Sequence, residues 1–158
     1  MDFNRLQALS LEIDIINAII NNNKDISFNK LFESDENITE EFKLNKLCEL
    51  AYKVLKQVEI EEEDALLEMF NEIFPDNSAV GRFCIDFIKI NLEMDNMDRD
   101  KINERIELLL KLDGSIIPDS QIKIDYYNLI LTLLLNQDPI NLNLINKYNI
   151  ELKALLNK

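Results

Sequence analysis

Apolar residues recur at steps of three and four along almost the whole chain, and very little interrupts them. Its 158 residues include only two glycines and three prolines. Sheet proteins need Gly and Pro at their turns, so this scarcity points to helices joined by short polar loops. Hydrophobic residues make up 47% of the chain, too many for a disordered segment and enough to bury a core at this length. The expected fold is all-α: one domain over residues 1–158, an irregular bundle or a short stack of helical hairpins.

The pattern predicts about seven main helices. In the first, Phe3, Leu6, Leu9, Ile13, Ile16 and Ile20 form an apolar stripe that is the expected core face. Asn21-Asn22-Asn23 ends it, and a short helical turn is expected from Ser27 to Phe32. Thr39 is placed to cap a long helix with Phe42, Leu47, Leu50, Ala51, Val54, Leu55 and Val58 inward. Glu61-Glu62-Glu63-Asp64 opens the next, where acids favour the positive end of the helix dipole. Its core is Leu66, Met69, Phe70 and Ile73, and Pro75 stops it.

Ser78 is the expected cap of a helix burying Val80, Phe83, Cys84, Phe87 and Ile88, and Asp98 of one burying Ile102, Ile106, Leu109 and Leu110. Asp113-Gly114 ends the latter. Pro118 marks the start of a helix through Ile122, Tyr126, Ile130, Leu133 and Leu134, apolar almost all round near its end and so expected at the centre. Asp138-Pro139 reads as a capping carboxylate followed by a first-turn proline. The last helix then buries Ile140, Leu144, Ile145, Tyr148, Leu152 and Leu155.

The formal charge of −13 is unevenly spread. Residues 1–58 carry ten acids and seven bases, residues 59–104 fourteen and four, and residues 105–158 six of each. Such a field repels nucleic acid and anionic membranes and attracts basic partners. Glu61, Asp64, Glu68 and Glu72 step by three and four along one stripe, and no Lys or Arg lies between Glu59 and Val80 to offset them.

Catalytic chemistry finds few residues to use. The chain has no histidine, which removes the commonest general base and the Ser/His and Cys/His nucleophilic pairs. Two glycines leave no phosphate-cradling loop. Asp95-Asn96-Met97-Asp98-Arg99-Asp100 lacks the central glycine of a calcium loop and sets a base among the ligands. Cys48 and Cys84 lie in apolar helical stretches and are expected to be two small buried thiols. No cofactor and no metal is expected. Met1-Asp2-Phe3-Asn4-Arg5 is not a secretory signal and no apolar run reaches the roughly 20 residues of a membrane span, so a cytosolic location is expected.

Two local patterns resemble known families. Pro75-Asp76-Asn77-Ser78 and Pro118-Asp119-Ser120-Gln121 each precede a helix with paired aromatics, Phe83 with Phe87 and Tyr126-Tyr127. Over residues 64–135 this resembles the helical hairpins of tetratricopeptide-like solenoids, whose small-and-aromatic signature is missing; the resemblance implies a scaffold subunit. Glu72-Ile73-Phe74-Pro75-Asp76-Asn77-Ser78-Ala79-Val80-Gly81-Arg82 resembles the first homology motif of Bcl-2 proteins, with Ala79 and Val80 in place of its Asn and Trp. That resemblance implies a groove for an amphipathic helix, with Arg82 pairing to a ligand aspartate and Gly81 allowing close approach. From the residues alone, Gly81 permits close helix packing and Arg82 pairs with Asp86 at i+4.

The expected function is a non-enzymatic protein-binding module that masks or recruits a basic partner, in the manner of small acidic immunity or inhibitor proteins of bacteria, phages and viruses. The expected binding residues are Glu61, Asp64, Glu68, Glu72, Asp76, Arg82 and Asp86.

Overall fold

A computed structural model describes residues 3–23, 27–32, 37–57, 63–94, 98–118 and 120–157. Glu61, Glu62 and Val58 lie outside these residues, as do Asp95, Asn96 and Met97. The fold is all-α. Among the described residues there are seven α-helices and no strand: α1 Phe3–Ile20, α2 Glu40–Gln57, α3 Asp64–Ile73, α4 Ala79–Glu93, α5 Arg99–Lys111, α6 Gln121–Leu135 and α7 Leu142–Leu156. Short 3-10 turns run over Phe28–Phe32 and Gly114–Ile116. The chain forms two compact units, residues 1–88 and 89–158, divided within α4.

In the first unit α1, α2 and α3 pack on one another, and the Phe28–Phe32 turn packs on α1 and α3. The core is Ile15 and Ile19 of α1, Leu44, Leu47, Leu50, Ala51 and Val54 of α2, and Leu66, Met69 and Phe70 of α3, with Val80, Phe83 and Cys84 of α4 also buried. The expected core stripe of α1 is corrected. Leu6, Leu9 and Ile13 are 48%, 44% and 58% exposed, whereas Ile15 and Ile19 are 0% and 1%. The helix carries two apolar rows, and both satisfy a 3.6-residue period. Packing against α2 and α3 selects the row through Ile15, Ala18 and Ile19.

Phe42 was likewise expected inward and is 54% exposed. At 100° per residue it stands about 200° round the helix from Leu44, which takes the core position. Thr39 does cap α2, its Oγ1 accepting from Phe42 N at 3.1 Å.

Capping of α3 and α4 comes from asparagines. Asn22 adopts a left-handed φ of 52°, which its short polar side chain tolerates, and its Oδ1 accepts from Ala65 N at 3.0 Å. The residue that ends α1 therefore caps α3, 43 positions later. Asn77 Oδ1 accepts from Ala79 N at 3.3 Å, the role expected of Ser78. Cys48 and Cys84 are both free and buried, as their apolar settings imply. The Cys84 thiol is pushed well up by its hydrogen bond to Cys48 and by burial, so it is held as the unreactive thiol.

In the second unit α6 packs against both α5 and α7. Its Tyr126, Tyr127, Leu129, Ile130, Leu133 and Leu134 are buried, but Leu135 is exposed, so the helix end is not enclosed. Asp98 occupies the cap position of α5 without a side-chain bond to the helix. Ser120 caps α6, its hydroxyl accepting from Lys123 N. The expected start of α7 at Asp138-Pro139 is corrected: that peptide bond is cis, and the helix begins at Leu142. Asn141 Oδ1 caps it, accepting from Leu144 N at 3.2 Å. Ile140 consequently lies before the helix and is exposed rather than in the core.

Candidate functional site

The first candidate is the acidic surface of the first unit. On α3, Asp64 and Glu68 are exposed one turn apart, and Asp76 is exposed in the loop that follows. Glu72, the next acid on the stripe, turns inward instead. Its carboxylate accepts from Ser27 Oγ at 3.1 Å, from Asn29 Nδ2 at 3.2 Å and from the backbone N–H of Phe28. It thereby satisfies an orphan donor at the start of the 3-10 turn and ties that turn to α3, with Phe28 buried beneath. Glu72 is a structural acid that sequence spacing could not tell from its neighbours.

Arg82, the one base among residues 59–88, is 47% exposed on the first turn of α4. Its Nη1 donates to Glu63 Oε2 at 2.7 Å and to Asp86 Oδ1 at 3.2 Å. The Asp86 pair is the expected i+4 contact. The sequence named Glu63 only among the acids that open α3, because nothing local marks a partner 19 residues away. Gly81 is taken up by packing: a Cβ there would stand 3.0 Å from Phe70 Cβ and 3.4 Å from Leu67 Cδ2. Both residues of the Gly81-Arg82 pair are thus engaged within the unit, as an ordinary close helix crossing requires. The structure brings Arg82 and Asp86 together, leaves Asp64, Glu68 and Asp76 on the surface and directs Glu72 elsewhere. Glu61 lies outside the described residues.

The second candidate lies within the second unit. The end of α5, the Gly114–Ile116 turn, α6 and α7 enclose a cleft of about 400 Å³. Its floor is Tyr126, Tyr127 and Tyr148, with ring centroids 5.3 Å apart for the first pair and 5.9 Å for Tyr127 and Tyr148. Tyr126 Oη donates to Leu109 O at 2.7 Å and Leu112 O at 3.1 Å, satisfying carbonyls at the end of α5. Burial is the main cause that pushes the Tyr126 and Tyr148 phenols upward, and Glu151 adds to it. Lys147 Nζ stands 5.3 Å from the centre of the Tyr148 ring, a cation–π distance.

At the rim, Asp113 accepts from Ser115 Oγ at 2.6 Å and Ser115 N at 3.0 Å, and these bonds hold its carboxyl below the usual range. Lys111 and Lys123 complete the rim. The sequence marked Tyr126 as a core residue, Tyr126-Tyr127 as a repeat landmark and Asp113-Gly114 as a helix end. It could not bring Lys147 and Tyr148 to them, since the parts lie on separate helices.

Among the described residues no group of three or more His, Cys, Asp or Glu side chains is placed to hold a metal ion, and no helix is long and apolar enough to cross a membrane. No protein-family model, no curated protein and no solved structure matches this chain.

Proposed function

We propose that this chain is a non-enzymatic, cytosolic binding module whose first unit docks a basic protein partner on the surface formed by α3, the loop after it and the start of α4. The charge imbalance carries this reading. Residues 1–88 hold nineteen acids and eight bases, a net −11, whereas residues 89–158 hold eleven and nine, a net −2. Within residues 59–88 there are nine acids and one base, and that base already serves Glu63 and Asp86. Exposed like charges one turn apart, as Asp64 and Glu68 are, are maintained at a cost and draw a basic surface by long-range attraction.

The test is capture of partners from native lysate by the full chain, at about 0.05 M and about 0.5 M salt. A basic partner should be retained at low salt and lost at high salt. The triple variant Asp64→Lys/Glu68→Lys/Asp76→Lys should lose it while keeping its helical circular dichroism, because these three side chains are exposed. Arg82→Ala should strengthen capture, since it removes the cation that pairs with Glu63 and Asp86 and raises the net negative charge of this surface. A partner that survives high salt and is lost with Arg82→Ala would overturn this reading in favour of a helix-binding groove.

A further inference from the structure

We propose that the tyrosine-floored cleft of the second unit binds a small organic anion, with its carboxylate or phosphate among Lys111, Lys123 and Lys147 and its carbon skeleton against Tyr127 and Tyr148. The site lies away from the acidic surface in sequence and in charge. Its volume of about 400 Å³ falls within the range of small-molecule sites. The accessible lining is mainly polar, with aromatic rings packed beneath it, which suits a ligand that carries an anionic group.

The floor is preformed. Tyr126, Tyr127 and Tyr148 are 2%, 8% and 8% exposed, so their rings are fixed by packing rather than free to collapse into the cleft. Gly114 lies flat on them: a Cβ there would stand 3.2 Å from Tyr126 Cε1 and 3.3 Å from Tyr127 Oη. The Tyr126 hydroxyl is anchored to the end of α5, which ties the floor to the wall.

The rim selects for negative charge. Three lysines, one each from α5, α6 and α7, line the cleft with two acids, Asp113 and Glu151. Asp113 is kept ionised by two donors from Ser115 and is attracted by Lys123, so the rim carries three cations against two carboxylates. In a chain of net charge −13 this lysine-rich rim gives an anion a local surplus of positive charge. The cation–π contact with the Tyr148 ring places Lys147 at the boundary between floor and rim, where an anionic group joined to a flat skeleton would meet both.

The experiment uses NMR of the full chain labelled at tyrosine and titrated with phenyl phosphate, which joins a ring to an anion. Three of the four tyrosines line the cleft, and Tyr52 of α2 serves as an internal control. Saturable shifts at Tyr127 and Tyr148 with Tyr52 unmoved are expected. Lys147→Glu should weaken binding about fivefold to tenfold, and Lys53→Glu in the first unit should leave it unchanged. Absence of saturable shifts up to about 10 mM would overturn the proposal. So would equal shifts at Tyr52, equal binding of benzyl alcohol, or unchanged binding by Lys147→Glu with its fold intact.

Discussion

The two units are both helical, yet they join their parts with different polar chemistry. In residues 1–88 three carboxylates link elements, Glu12 with Lys46, Glu63 with Arg82, and Glu72 with the Phe28–Phe32 turn, and the Asn22 amide joins α1 to α3. In residues 89–158 Glu93 pairs with Arg105 between α4 and α5, and a buried phenol adds a link of another kind, Tyr126 bridging to carbonyls at the end of α5. The lesson is that the acid surplus of the first unit is not all surface. Some of it orders loops, and only the remainder is available to a partner. The second unit is nearly neutral and gathers three lysines and three tyrosines around a cleft.

The largest expected effect tests which face of α1 the first unit buries. Ile15→Ala should cost about 2–5 kcal/mol, while Ile13→Ala should stay within about 0.5 kcal/mol, both read by urea denaturation followed by circular dichroism. Equal costs would mean that the α1 packing described above is wrong.

A smaller effect separates structural from surface acid. Glu72→Ala should cost about 1.5–3 kcal/mol, because it leaves the Phe28 N–H without its charged acceptor. Glu68→Ala, at an exposed position on the same helix, should change stability by less than about 0.5 kcal/mol. If Glu68 proved the costlier of the two, the carboxylate link of the first unit would be refuted.

The smallest effect distinguishes the second unit by pH. The folded state holds the Tyr126 phenol above its usual value of 10.0, so it remains protonated where the unfolded chain has begun to ionise. The folded state then binds more protons than the unfolded one, and stability falls as pH rises through the unfolded value. The slope should reach up to about 1.4 kcal/mol per pH unit for such a group. It should flatten in Tyr126→Phe, and hydrogen exchange should show the loosening first in α5–α7. An unchanged slope in Tyr126→Phe would show that this phenol does not set the alkaline limit.

Much of this molecule was legible in its residues, though unevenly. The helices and most of their boundaries followed from apolar spacing and from the cap at Thr39, whereas the sequence marked the start of α6 at Pro118 and not the cap at Ser120. The inward row of α4, through Val80, Phe83, Cys84, Phe87 and Ile88, was legible, whereas the burial of Ile85 and Ile90 beside it was not. The face of α1 was not, since two rows compete. The exposed acids Asp64, Glu68 and Asp76 were legible as a group, but the inward role of Glu72 was not, because its donors lie more than 40 positions away.

By itself, then, the sequence determined the helical class, the helix positions and the gathering of acid in one stretch. These depend on periodicity, propensity and composition, which are local or additive. Tertiary structure alone decided which row of α1 faces inward, that Asn22 caps α3, that Glu63 joins Arg82, and that three tyrosines and three lysines surround one cleft. Each of these joins residues distant in the chain. Their energies depend on distance and burial, which are fixed only when the helices pack.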